Sequence, residues 1–161
     1  MNDAPEKDNP EKDAKVAREA LEESLYEALE AADQQQVAEI IEGASNQDIL
    51  RHASQMTADE RDQLISIMTP EAAAELIEEA PSGLAVALIK DLDSSVAAKI
   101  MEELHTDTQA DLVNEMRKSD AEAILSAMDV ESADDVRKLS QYPPDTAGGL
   151  MELEAFTFTH A

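Results

Sequence analysis

The sequence predicts an all-α protein, a helical solenoid of about ten short helices. Three observations predict it. Ala, Leu, Glu, Gln and Met, the strong helix formers, dominate the composition, and aromatic residues make up only 2%. A β-rich chain would carry more Val, Thr, Tyr and Phe. Helix-capping residue types recur every 12 positions from Asp33 to Asp93. The pattern stops at "YPPDTAGGLM", residues 142–151, where two of the 6 prolines stand just before a pair of the 4 glycines.

Taken in order, residues 1–11 are charged and broken by Pro5 and Pro10, and they read as a mobile acidic tail. A longer helix follows over roughly Lys12 to Ala32, with Leu21, Leu25, Ala28 and Leu29 on one face. Steps of 12 then mark Asp33, Ser45, Thr57, Thr69, Pro81, Asp93, His105, Arg117 and Asp129. Five of the first six are N-cap types and the other is proline, suited to a helix start. Seven and eight residues past each mark stands an apolar pair, such as Leu64-Ile65, Leu76-Ile77, Leu88-Ile89 and Ile124-Leu125. The pair is degraded at His52-Ala53 and at Val136-Arg137. An apolar or small residue follows at the eleventh step: Met68, Ala80, Leu92, Leu104, Met116 and Met128. The period has a physical cause, because a cap, a helix of about nine residues and a tight turn consume 12 positions. A helix this short does not survive alone in water. Stacked on its neighbours it buries its apolar face, as solenoid repeats do. The helical region therefore spans 12–141. Residues 142–161 form a linker, and the alternating "LEAFTFTH" reads as the start of a strand.

The formal charge is −25, from 37 acidic and 12 basic residues. No Lys/Arg cluster tracks a phosphate backbone, so nucleic-acid binding is disfavoured. An anionic membrane surface would repel the chain. A solvated acidic face accounts for such a charge, and cations or a basic surface are its natural complements. There is no cysteine, hence no disulfide and no thiolate metal site. The start has no apolar signal-peptide core. The longest apolar run, Leu84 to Ile89, is far short of the roughly 20 residues of a membrane span. These features point to a soluble, intracellular piece.

Catalysis has no visible site. The histidines are His52, His105 and His160; none lies in a HExxH spacing and none pairs locally with a nucleophile. No glycine-rich nucleotide loop exists. The reading is therefore no enzyme and no catalytic residue. The methionines mostly fall at core positions of the repeat and serve as packing filler. For a hard cation such as Mg²⁺, the best local pair is Asp107 and Asp111 in "HTDTQADLVNEM". They stand four apart on one helix face near its start, where like charges repel and a divalent ion would relieve them. Glu75 in "AAAELIEEA" is a further acid on an earlier helix. From spacing alone, a solvated pair with Asp107 charging the helix start explains these residues better than a metal site.

The break resembles a family signature. "YPPDTAGGLM" is similar to the junction, in MgtE-type magnesium transporters, between the cytosolic N-terminal helical domain and the CBS domains that follow. Tyr142, Asp145, Thr146, Ala147, Gly148, Gly149, Leu150 and Met151 carry the match. The resemblance runs from about Ser24 onward and implies a right-handed superhelix of short helices. It implies a regulatory, Mg²⁺-sensing role. Ions would bridge the domain to CBS domains, neutralise facing carboxylates and hold the pore closed. "IMEELHTDTQAD", Ile100 to Asp111, is similar to a family segment whose ion-facing acids fall on Asp107 and Asp111. Thr108 stands where the family has a second acid, a departure that weakens the site or leaves it to other ligands. A shorter match places a third acid on Glu75. The resemblance makes these three the expected metal positions, with Mg²⁺ bound weakly by the domain alone. It also implies "ELEAFTFTHA" as the start of a CBS domain. The expected partners are the CBS and membrane domains of a parent transporter, and the expected location is its cytosolic face. The expected state is a monomer or weak dimer. The competing reading is a stand-alone helical scaffold for protein binding.

Overall fold

The computed structural model describes residues 9–142. The expected strand, the double glycine of the linker, His160 and residues 1–8 of the expected tail fall outside the described residues. Those residues contain ten helices and no strand. By its internal contacts the chain divides into two compact units, Met1–Gln55 and Met56–Ala161.

The first unit holds α1 (Pro10–Glu30), α2 (Gln34–Gly43) and α3 (Asn46–Ala53). Helix α1 starts at Pro10, two residues before the expected Lys12, because Asn9 caps it and proline occupies its first turn. It ends at Glu30, before the expected Ala32, in a Schellman turn. The Ala32 N–H donates to the Leu29 carbonyl at 3.1 Å, and the Asp33 N–H to the Ala28 carbonyl at 2.9 Å. Ala32 adopts φ 52° there. Leu25, Ala28 and Leu29 are buried as their spacing predicts, and Leu21 is half-buried. Helix α1 packs on α2, and two ion contacts reach from α1 to α3. Arg18 lies 3.8 Å from Asp48, and Glu22 lies 3.9 Å from His52.

The second unit holds α4 (Ala58–Ile67), α5 (Pro70–Glu79), α6 (Ser82–Ile89), α7 (Ser94–Glu103), α8 (Thr106–Glu115), α9 (Lys118–Ala127) and α10 (Val130–Leu139). Each packs mainly on the helix two along. One row runs α4–α6–α8–α10 and the other α5–α7–α9. This is the packing of a solenoid turn built from two helices. Six of the seven helices are 10 residues long, and α6 has 8. All nine residues marked by the 12-step count are N-caps: Asp33, Ser45, Thr57, Thr69, Pro81, Asp93, His105, Arg117 and Asp129. At Met68, Ala80, Leu104, Met116 and Met128 the residue before the next N-cap is an extended C-cap. Ten helical residues, a C-cap and an N-cap thus make the period of 12.

The eighth and ninth residues of the repeat form the core. Leu64, Ile65, Leu76, Ile77, Leu88, Ile89, Ile100, Met101, Ile124 and Leu125 are all buried. Full burial of each large side chain contributes about 1.5–3 kcal/mol before chain entropy is counted. A further buried place lies four residues after the N-cap, occupied by Ala73, Ala85, Ala97, Ala121 and Ala133. Small side chains there let neighbouring helices approach closely.

Candidate metal centre

The N-terminal turn of α8 carries Asp107 and, one turn on, Asp111. The helix forms here because His105 takes the extended N-cap conformation (ψ 145°) and Leu104 closes the preceding helix. Asp107 sits in the first turn, where the free N–H groups and the helix dipole favour a negative side chain. It is half-buried, and its Oδ1 accepts from the Thr108 N–H at 2.8 Å. Asp111 is exposed. Glu75 is exposed on α5. Among the described residues no group of three or more His, Cys, Asp or Glu side chains is arranged to hold a metal ion. Glu75, Asp107 and Asp111 therefore do not make a three-ligand cage within this chain. What α8 offers is two hard carboxylates one helical turn apart, one half-buried and one exposed. Such a pair suits a strongly hydrated Mg²⁺, which keeps several waters and takes few carboxylates. It does not suit a softer metal that wants imidazole or thiolate.

The start of α8 is held by Glu78 and Gln109, which sequence reasoning did not single out. His105 provides no side-chain cap to its own helix. Instead its N–H donates to Glu78 Oε1 at 2.9 Å, and its Nδ1 lies 2.5 Å from the same oxygen. Glu78 belongs to α5, one turn after Glu75. The other anchor is Gln109, which stands at the place the repeat gives to alanine and is only 4% exposed. Its Nε2 donates to the Met101 and Leu104 carbonyls, at 2.6 and 2.8 Å. Those carbonyls lie at the end of α7, where the Met101 carbonyl also accepts from the Leu104 N–H at 3.2 Å. The available signal was a polar residue at a core step; its partner was not readable, since helix-end carbonyls leave no mark in sequence.

His52 is 3% exposed, deeper than the partly buried core position its spacing suggests. His105 stands at an N-cap, as the 12-step count places it. A second acidic group lies on α4, in the same row as α8. The Asp62 carboxyl is raised above the usual range, first by burial and then by the charges of Asp91 and Asp59.

Residues 44–145 match the family described as the MgtE intracellular N domain. The chain belongs to that family. Two solved structures share the fold of this N domain. One, a crystal structure of the cytosolic domain of the Mg²⁺ channel MgtE in complex with ATP, superposes with a TM-score of 0.69 at 28% identity. It is matched over 81% of this chain and 54% of its own length. The other, a crystal structure of the soluble part of a magnesium transporter, has a TM-score of 0.68 at 22% identity. It is matched over 84% of this chain and 54% of its own length, and at that identity it supports the fold alone. The N domain thus spans about half of each neighbour. A search among curated proteins finds no match. No described helix of the N domain is long and apolar enough to cross a membrane.

Proposed function

We propose that this chain is the Mg²⁺-sensing regulatory domain on the cytosolic side of a magnesium transporter or channel. Mg²⁺ would join its acidic surface to CBS domains and favour the closed pore. Asp107 and Asp111 are the residues assigned to the ion, with Glu75 a further acid on α5. The observation that carries the reading is the two-carboxylate edge at the head of α8, in a chain of this family. Two carboxylates with no third grouped beside them among the described residues would make half a site, and an opposing surface would supply the rest. Cation binding then costs little when the surfaces are together and is weak when they are apart, which is the differential affinity a switch needs. The domain alone should bind Mg²⁺ in about the millimolar range, as expected for few protein ligands and many waters. The net charge of −25 fits this role, because cation-free acidic surfaces repel.

The test is Mg²⁺-dependent protease protection of the chain, alone and with the CBS region present. Protection is expected only with both, and it should be lost when Asp107→Ala and Asp111→Ala are combined. Unchanged protection in that double variant would overturn the residue assignment. Protection by a protein lacking CBS domains, without Mg²⁺, would instead favour the scaffold reading.

A further inference from the structure

The helical repeat contains one bond that recurs two repeats apart. Glu78 on α5 accepts from the His105 N–H at the head of α8, at 2.9 Å. Glu102 on α7 accepts from the Asp129 N–H at the head of α10, at 2.8 Å. Donor and acceptor are 27 residues apart in both. The backbone bond is therefore the same in both ties, displaced by two repeats, 78 to 102 and 105 to 129, while Glu78 also lies against the His105 ring Nδ1. Each joins the last turn of one helix to the N-cap of the helix three along, across the two rows. A carboxylate there meets an orphan N–H and the positive end of a helix dipole.

The two ties differ in what they hold. The head of α10 is also capped by its own Asp129, whose Oδ2 accepts from the Glu131 N–H at 3.1 Å. The His105 side chain does not cap α8. Asp107 follows His105 by two residues, and Asp111 lies one turn further on. Glu75 sits one turn before Glu78. The Glu78–His105 tie therefore joins the two helices that carry all three assigned carboxylates, and it does so beside them. Gln109, between the two aspartates, pins the same turn to the end of α7 from the buried side.

The geometry points to Glu78 as a positioning residue for the cation edge. Its carboxylate, through the His105 N–H, sets the first turn of α8 and with it Asp107 and Asp111 relative to α5. This rests on the reading of those aspartates as Mg²⁺ positions. Glu78 acts through backbone geometry and is not itself assigned as a ligand.

The repeat supplies a matched control. The full chain would be titrated with MgCl₂ while the amide NMR signals of Thr106 to Leu112 are followed. Glu78→Ala should weaken the apparent affinity about tenfold, the low end of the range for loss of a supporting partner. Glu78→Gln keeps an oxygen that accepts from the His105 N–H and should restore affinity to within about twofold of the parent. Glu102→Ala removes the equivalent tie from α10 and should leave the Mg²⁺ response unchanged. Helical circular dichroism checks that each variant folds. Three results would overturn the proposal: parental affinity in Glu78→Ala, a Gln variant as weak as Ala, or equal weakening by Glu102→Ala. The combined Asp107→Ala and Asp111→Ala variant, run in parallel, separates the two levels. If it still titrates like the parent, the underlying site reading has failed and the positioning role with it. If it loses the response while Glu78→Ala does not, only the role of Glu78 has failed.

Discussion

Ala32 closes α1 with φ 52°, a conformation that disfavours any residue with a Cβ. The two Schellman hydrogen bonds of the turn hold it there. Glycine removes the steric cost of about 1–2 kcal/mol, against an entropy cost of roughly 0.5–1 kcal/mol in the unfolded chain. Ala32→Gly is therefore expected to stabilise by about 0.5–1 kcal/mol in urea denaturation, and a loss of stability would contradict it. Asp62 presents the opposite case, a charge in a poor place. Its Oδ1 is buried without a hydrogen-bond partner, and burial, Asp91 and Asp59 raise its carboxyl above the ordinary 3.8. A raised carboxyl binds its proton more tightly folded than unfolded, so the ionised form lowers stability at neutral pH. That cost is lost as pH falls to the unfolded value. Asp62→Asn should raise the melting temperature by about 1–2 °C at pH 7, from relief of like-charge contacts worth a few tenths of a kcal/mol. The gain should vanish near pH 3, where both forms are neutral. Asp48 titrates the other way. The Ser45 hydroxyl, then Arg51 and Arg18, hold its carboxyl below 3.8, so its contribution is present at neutral pH and lost in acid.

Short helices of this kind depend on their ends. Thr57 and Glu60 form a full capping box at α4, with the Thr57 N–H donating to Glu60 Oε2 at 2.7 Å. Helix α6 lacks such a device: Pro81 caps it without a side-chain bond, and Gly83 stands in its first turn. A Cβ at Gly83 would meet nothing within 4 Å. Gly83→Ala should therefore stabilise by about 0.5–1 kcal/mol through helix propensity and unfolded-state entropy, read as a higher urea midpoint at an unchanged slope. A lower midpoint would show that α6 needs the smaller residue. The caps were the most legible part of the fold. Side-chain oxygens at Asp33, Ser45, Thr57 and Thr69 act on backbone within three residues, and so local spacing reports them. The ties from Glu78 and Glu102 were not legible. Acids occur throughout the chain, and which of them meets a distant N–H depends on how the rows pack.

Across the molecule, a charge of −25 is spread over a chain of 161 residues, and self-repulsion opposes the compact state. Raising NaCl from about 0.01 M to about 0.1 M shortens the screening length from roughly 30 to 10 Å. The melting temperature should rise over that range, and a fall would mean that favourable ion pairs outweigh repulsion. Mg²⁺ at equal ionic strength should act beyond this screening through the assigned carboxylates Asp107, Asp111 and Glu75, which links the stability measurement to the proposed switch.

The repeat was written in the sequence because its causes are local: a capping oxygen, helix formers, and apolar residues spaced to share one helix face. Those features act over a turn or two, so counting recovers them, from Asp33 to Asp129. The resemblance at 142–151 and the acids at Asp107 and Asp111 were equally readable as residues. Packing settled what the period could not. It made α5 pack on α7 and α6 on α8, turned Gln109 inward onto the end of α7, and brought Glu78 to the His105 N–H. It also left Asp107, Asp111 and Glu75 outside any three-ligand group among the described residues. These are contacts between residues far apart in the chain, and their partners are chosen by the stacking of whole helices, which no local spacing encodes.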